Sequence, residues 1–502
     1  MPTLIFGHDD FLALENGWRI LAGQRPQLDF WSPWGPFSFQ IMALGLKVSH
    51  ASPNGIGYGN AIFGFLIGLW AYRLGRNRLV PVVRVLFALY VVLLVCSPYP
   101  LGESPRSSSH AMFYNRYGYA LIALVLVECL QLPQGPKQEG EERFGGFSTG
   151  AAAGLMLFLK ASFFFASVPL AVVSMVFWRR NAKRGPALIL GLGAVVLANM
   201  AYLRFNFAAV AYALRAAAAA RSVYFSPQVL PREIEANAGS LILVMIAAMA
   251  GAFLSWGTRA RWEKFHLPLS AMVVCICDLA LLSTNAQGPT MPIVAVFSLL
   301  VAGRMAAGRN RSLSVSDRQL AYHASLLLLC AMLFLPRFGS DLEGLAVGAA
   351  RKAHLLRAES SVRFTEPRLS DLILYDSPGA VKASNGATYT TYVNEGTALL
   401  RRYCNSGDKV LTMDMQNPFP YSLGWQPPEG GIASTAFNYT ISAKYRPSFA
   451  AYFGDATVVM IPRHPAESIR RLEGFYAIYV PAVLERFKLT ARTEWWDLYT
   501  RK

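Results

Sequence analysis

Residues 186–203 and 319–336 are two runs without a single Asp, Glu, Lys or Arg. A soluble core needs apolar residues at helical or strand spacing; an unbroken run of this length is what a bilayer requires. Further runs of the same kind recur through the first two thirds of the chain, so the expected class is a polytopic α-helical membrane protein. Composition agrees. Of 502 residues 54% are hydrophobic, 15% are charged and the mean hydropathy is +0.32, whereas soluble domains average about 25% charged. Disorder, a coiled coil and a disulfide-stapled secreted module are excluded.

The net charge of +17 is unevenly spread. Residues 337–502 hold 20 basic and 16 acidic side chains of the chain's 47 and 30, leaving 27 and 14 for residues 1–336. The surplus therefore lies among the apolar runs, where Lys and Arg mark cytoplasmic loops. No basic stripe points to nucleic acid. Of the six cysteines only Cys404 lies in a long polar stretch, so no disulfide framework is expected.

Spans near 55–72, 80–97, 115–132, 147–160, 162–178, 186–203, 239–257, 267–284, 290–303 and 319–336 put every strongly basic loop on one side. The opposite side receives 1–54, 98–114, 204–238 and 337–502. Three parts follow: an outer loop, 1–54, with an acidic motif and a surface helix near 37–49; a transmembrane domain, 55–336; and an extracytoplasmic α/β domain, 337–502. An outer position for 1–54 implies either an uncleaved polar tail that is itself translocated or, the favoured reading, a first membrane helix missing from the written start, within a total of nine or ten spans. In the last part the pattern predicts a helix over 396–404, strands over 409–415 and 455–463, a Pro- and Gly-rich loop over 416–431, and a helix over 466–477.

Chemistry-bearing residues cluster on the outer side. The stretch HDDFLALENGWRILAGQRPQLDFWSPWGP, 8–36, opens on Asp9 and Asp10. Paired carboxylates at a water–lipid boundary serve as a general base or hold a metal; a cap on a helix starting near Phe11 explains them as well. The loop 101–119 offers Glu103 as a second acid, with His110, Asn115 and Arg116 where it meets the membrane. A guanidinium there binds two phosphate oxygens at once, or anchors the interface beside Tyr114, Tyr117 and Tyr119. Lys160 sits between two short apolar runs, a depth at which charge marks a site or snorkels. Arg204 and Arg215 are three helical turns apart and share a face. Gln287 ends the span that holds Asp278, and Glu128 reads as structural.

With its HDD motif, the NGWRILAGQRPQLDFWSPWGP that follows, a surface helix in the first outer loop, about ten spans and a C-terminal outer domain, the chain resembles the GT-C superfamily of polytopic glycosyltransferases. The resemblance implies an enzyme of the bacterial inner membrane that takes a sugar from a polyprenyl-phosphate carrier. The acceptor is then a lipid, polysaccharide or protein, and membrane lipids are its other partners. It places the catalytic carboxylate at Asp9 or Asp10. Arg116, Lys160 and Arg204 are then the cations for the donor phosphate, and Glu103, His110 and Gln287 line the substrate. No cofactor is required and no metal ligand set is complete, although a divalent cation is compatible. Trp495, Trp496 and Asp497 spell a WWD by chance, at the wrong place in the chain. Two rivals remain: a transporter or flippase of lipid-linked saccharides, which calls for repeats and midplane charges, and a non-catalytic envelope assembly protein.

Overall fold

The computed structural model describes residues 1–131, 138–177, 183–221, 229–254, 261–285, 287–309, 317–356, 361–376, 386–465 and 472–502. Helices dominate. Two come first, α1 (Gly7–Leu21) and α2 (Phe37–Val48), followed by α3 (Gly55–Gly75), α4 (Pro81–Cys96) and α5 (Phe113–Leu130). Then come α6 (Gln138–Leu157), α7 (Ala161–Phe177), α8 (Arg184–Tyr202), α9 (Phe207–Arg221) and α10 (Val229–Leu254). The series closes with α11 (Arg261–Thr284), α12 (Pro292–Arg309) and α13 (Asp317–Lys352).

Among the described residues, four helices are long and apolar enough to cross a membrane: Arg184–Tyr202, Leu230–Phe253, His266–Thr284 and Leu320–Lys352. The runs expected at 80–97, 162–178 and 290–303 form shorter apolar helices. On α8 the exposed positions are oily: Ile189, Leu190 and Leu197 each leave more than 60% of their surface uncovered. Water would penalise such a face and lipid would not. At the other extreme is α5, every residue of which is buried. It is the central strut against which α4, α6, α7 and α12 pack.

Two boundaries differ from the sequence reading. The segment between the expected spans 115–132 and 147–160 was read as a loop, but α6 starts inside it at Gln138, and Arg73 and Arg78 bind Glu141 in its first turn. Helix α13 runs unbroken past residue 336, so the sheet region begins after Lys352. Its extension carries Gly344 and Gly348, whose missing side chains admit Tyr99 and Pro98 of the loop before α5. Helix α2 buries one face, Ser38, Phe39, Ile41, Met42, Ala43, Gly45 and Leu46, packs on α1 and α3, and leaves Leu44, Lys47 and Val48 exposed.

Two small sheets lie at one end of the bundle. In the first, β1 (Pro2–Thr3) runs parallel to β3 (Ile373–Tyr375), and β2 (Ser361–Val362) runs antiparallel on its other side. In the second the order is β4 (Val410–Thr412), β5 (Val458–Pro462), β7 (Trp496–Arg501), β6 (Phe487–Arg492), with only the β4–β5 pair parallel. Helix α14 (Gly386–Tyr403) starts ten residues before the expected 396. The first part of the helix expected over 466–477 lies outside the described residues, and α15 covers Glu473–Arg486. Trp496 is wholly buried and donates its indole N–H to Tyr392 O, which explains the WWD as core packing.

The first residues and the last part of the chain form one body. Beyond the β1–β3 pairing, Arg19 Nη1 donates to Pro428 O and Gly430 O, and Gln24 Nε2 to Pro427 O and Pro428 O. The Pro- and Gly-rich loop is thus ordered by α1. At the opposite end of the bundle Glu128 accepts from Arg78 and Arg184, with Glu142 beside Arg184, all buried. Glu128 is a structural ion-pair centre, as its sequence position implied.

Candidate active site

The sheet-bearing end collects most of the chemistry-bearing residues. Asp9 and Asp10 fall in the first turn of α1, which begins at Gly7, so neither caps a helix starting near Phe11. Negative charge is favoured there by the helix dipole. His8 Nε2 lies 3.6 Å from Asp9 Oδ1, and His110 Nδ1 lies 3.6 Å from Asp10 Oδ1. Asp10 is completely buried. Tyr389 of α14 packs over this turn, 6.4 Å from the His8 ring and 5.9 Å from that of Phe11. Burial, with Asp414, Asp9 and Asp10 nearby, holds the Tyr389 hydroxyl well above its usual titration range.

Lys160 lies where α6 stops and α7 begins. Its N–H still donates to Met156 O, and its carbonyl accepts from Phe163 N, so it is the hinge between the two helices. Nζ donates to Asn115 Oδ1 at 3.0 Å and stands 4.6 Å over the Tyr114 ring. Trp34 also stacks on Tyr114, with ring centroids 5.2 Å apart. The segment holding Trp34 is drawn onto the end of α6 by Phe37 N donating to Phe158 O, and only glycine fits at 35, where a Cβ would meet that carbonyl at 1.9 Å. Lys160 and Trp34 line a cavity of about 670 Å³, with Arg215 and Tyr439 beside them and a mostly apolar lining from α7, α9 and α11. Sequence reasoning singled out Lys160 and Arg215; Trp34 stood there only within the 8–36 stretch, and Tyr439 was not singled out.

The other expected residues are dispersed. Arg116 is buried in α5 and spends its donors within the protein: Nε on Tyr99 O at 2.8 Å, and Nη1 on Leu94 O at 2.9 Å and on Asp341 Oδ1 at 3.1 Å. It is not at the Lys160 cavity. Arg204 is exposed at the turn between α8 and α9, with φ of 53°, and does not line that cavity either. Glu103 is exposed in the loop before α5. Gln287 donates to Tyr119 OH at 2.9 Å. It is placed there by Gly288, whose N–H donates to Leu101 O, in close contact with Gly102 at φ +86°. Asp278 has a structural explanation: Oδ2 accepts the N–H groups of Ile293 and Val294, each at 3.0 Å, and so caps α12. In the sheet region Tyr392 donates to Asp414 Oδ2, and Asn417 bridges Thr412 and Val410.

Among the described residues no three His, Cys, Asp or Glu side chains converge as a metal site requires. Comparison with protein-family models, curated proteins and solved structures finds no match to this chain. The arrangement itself is chemically informative. One end of the bundle carries an acidic helix start and, beside it, an apolar cavity with an ammonium at its head.

Proposed function

We propose that the chain is an integral membrane glycosyltransferase that moves a sugar from a polyprenyl-phosphate carrier to a lipid or glycan acceptor. The observation that carries this reading is the Lys160 cavity. Its apolar walls on α7, α9 and α11 suit a prenyl chain entering from the bilayer, and its cations, Lys160 and Arg215, suit the phosphate that heads such a chain. Fixed positive charge is what the departing phosphate needs as the glycosidic bond breaks. The acceptor oxygen bonds to the anomeric carbon, the bond from that carbon to the phosphate oxygen breaks with its electron pair, and the hydroxyl proton leaves towards the Asp9 and Asp10 side. One such displacement inverts the anomeric centre. The sheet-bearing end then faces the periplasm of a bacterial inner membrane, since the strongly basic loops belong to the other side.

A flippase is the weaker reading. It calls for ionisable groups at the midplane that are available to a substrate, whereas Arg116 of the bundle is paired with Asp341, and Arg78 and Arg184 are paired with Glu128, Glu141 and Glu142.

The test is transfer in vesicles. The purified chain is supplied with a labelled polyprenyl-phosphate hexose and membrane glycolipid, and the label is followed into the glycolipid with release of polyprenyl phosphate. Loss of label transfer in Lys160→Ala and in the Asp9→Asn, Asp10→Asn pair supports the reading. Label that crosses the bilayer still attached to its carrier overturns it. Sidedness is tested with Leu21→Cys, an exposed position, in a Cys404→Ser background: an impermeant thiol reagent should label intact cells.

A further inference from the structure

Asp10 and His110 form an arrangement that goes beyond the transfer scheme, which names the side the acceptor proton leaves by but not the group that takes it. Neither Asp10 oxygen has a hydrogen-bond partner among the described residues, although the side chain is wholly buried. A carboxylate so placed is costly unless a neighbouring proton donor or cation meets it. His110 Nδ1, also without a hydrogen bond, stands 3.6 Å away. The imidazole is held by stacking on Phe113, with centroids 5.3 Å apart and planes at 23°. It lines a second cavity, of about 400 Å³, whose other polar side chains are Asn54, Tyr58 and Lys352. Lys352 Nζ donates to Asn54 Oδ1 at 2.6 Å, and an ammonium has two more hydrogens to offer.

We propose that Asp10 and His110 are a proton-transfer dyad, and that the pocket His110 faces binds a hydroxyl-bearing anionic headgroup through Lys352. Asp10 is the positioning residue: it holds the proton on Nδ1, which leaves Nε2 basic, and the 3.6 Å gap closes when ligand fills the pocket. Naming this ligand as the sugar acceptor rests on the transferase reading. His110 Nε2 then takes the hydroxyl proton while the oxygen bonds to the anomeric carbon and the phosphate departs with the electron pair. The two cavities flank the first turn of α5, because Phe113 holds His110 and the next residue, Tyr114, meets Lys160.

The test reads the imidazole directly, so it does not depend on any transfer activity. Purified chain in phosphatidylcholine nanodiscs is treated with diethyl pyrocarbonate, and the rate of His110 modification is followed by mass spectrometry. Asp10→Asn is expected to slow modification at least threefold and Asp10→Glu to restore it. A purely structural role for Asp10 would loosen the loop and speed the reaction. Either glycerol 3-phosphate or nanodiscs containing phosphatidylglycerol should protect wild type at least threefold and leave Lys352→Ala unprotected. Protection by both names a phosphate group from any source, and protection by the nanodiscs alone names a lipid headgroup. No protection by either, or an Asp10→Asn rate that is unchanged or faster, overturns the proposal. A dyad that passes in a chain that transfers no sugar would overturn the transferase reading alone.

Discussion

Arg116 on α5 sets Nη1 3.1 Å from Asp341 Oδ1 on α13, with neither side chain more than 1% exposed. Tyr99 OH donates to the same oxygen at 2.8 Å, and its ring lies 4.3 Å below the guanidinium. Breaking such a pair strands a buried charge. Arg116→Ala and Asp341→Ala are each expected to lower unfolding stability by about 3–5 kcal/mol, while Arg116→Met combined with Asp341→Leu recovers most of it. Thermal melts in detergent decide. A guanidinium whose main task was the donor phosphate would instead leave stability intact and weaken donor binding.

Asp278 fastens two helices by one oxygen. Replacing it with Ala leaves the Ile293 and Val294 N–H groups buried without their acceptor, at a cost of about 1–3 kcal/mol. Asn keeps an acceptor oxygen and should lose less than half of that. Hydrogen exchange of the first turn of α12 is the sensitive measurement: Asp278→Ala should expose it while α5 stays protected.

How much of this was legible depends on whether the signal was local. Helices α8 and α10 were readable because a charge-free run needs no partner to declare itself, and α11 because its run carries a single charge, Asp278. Lys160 was readable for a similar reason, since a lone ammonium between two apolar runs is costly anywhere else. Arg116 was misleading in isolation: its counter-ion is 225 residues further on, and nothing in the spacing of either segment announces the pairing. The extension of α13 was hidden in RFGSDLEGLAVGAARK, which reads as a polar tail until Tyr99 and Pro98 are seen to fill the notches at Gly344 and Gly348. Strand β1 is two residues long and exists only because β3 is beside it. The β6–β7 hairpin was missed although FKLTAR and WDLYTR alternate, because the sequence reading assigned no element beyond residue 477.

Glu15 gives the contact between α1 and the Pro-rich loop a pH dependence. Its Oε1 lies 3.3 Å from Arg19 Nε and its Oε2 accepts from Tyr421 N at 3.0 Å, yet burial outweighs both and pushes the carboxyl up to about 7. In the unfolded chain the same group titrates near 4.5. Between these values the folded state holds the extra proton, so stability falls as pH rises from about 4.5 through about 7 and levels above it. The contribution is roughly 3 kcal/mol for a fully buried group. Wild type should lose several degrees of melting temperature across that window relative to Glu15→Gln, whose curve lacks this component. A difference between the two that does not change with pH would show that Glu15 carries its charge throughout.

Lys160 is where stability and activity should separate. Its ammonium is anchored by Asn115 and Tyr114, and it heads the cavity rather than filling a core. Lys160→Ala should lower kcat/KM for a polyprenyl-phosphate sugar by about 10²–10³ if the ammonium meets the departing phosphate. Lys160→Arg should keep only part of the rate, because a planar fork cannot occupy the place of a compact point charge between Asn115 and the Tyr114 ring. Asn115→Ala frees the ammonium from its anchor and should give an intermediate loss. Arg215, exposed on α9, should affect KM more than kcat. Melting curves of all four variants should stay within a few degrees of wild type. A Lys160→Ala protein that melts early and yet transfers normally for its folded fraction would make the residue a helix-junction anchor, and would move the phosphate site elsewhere.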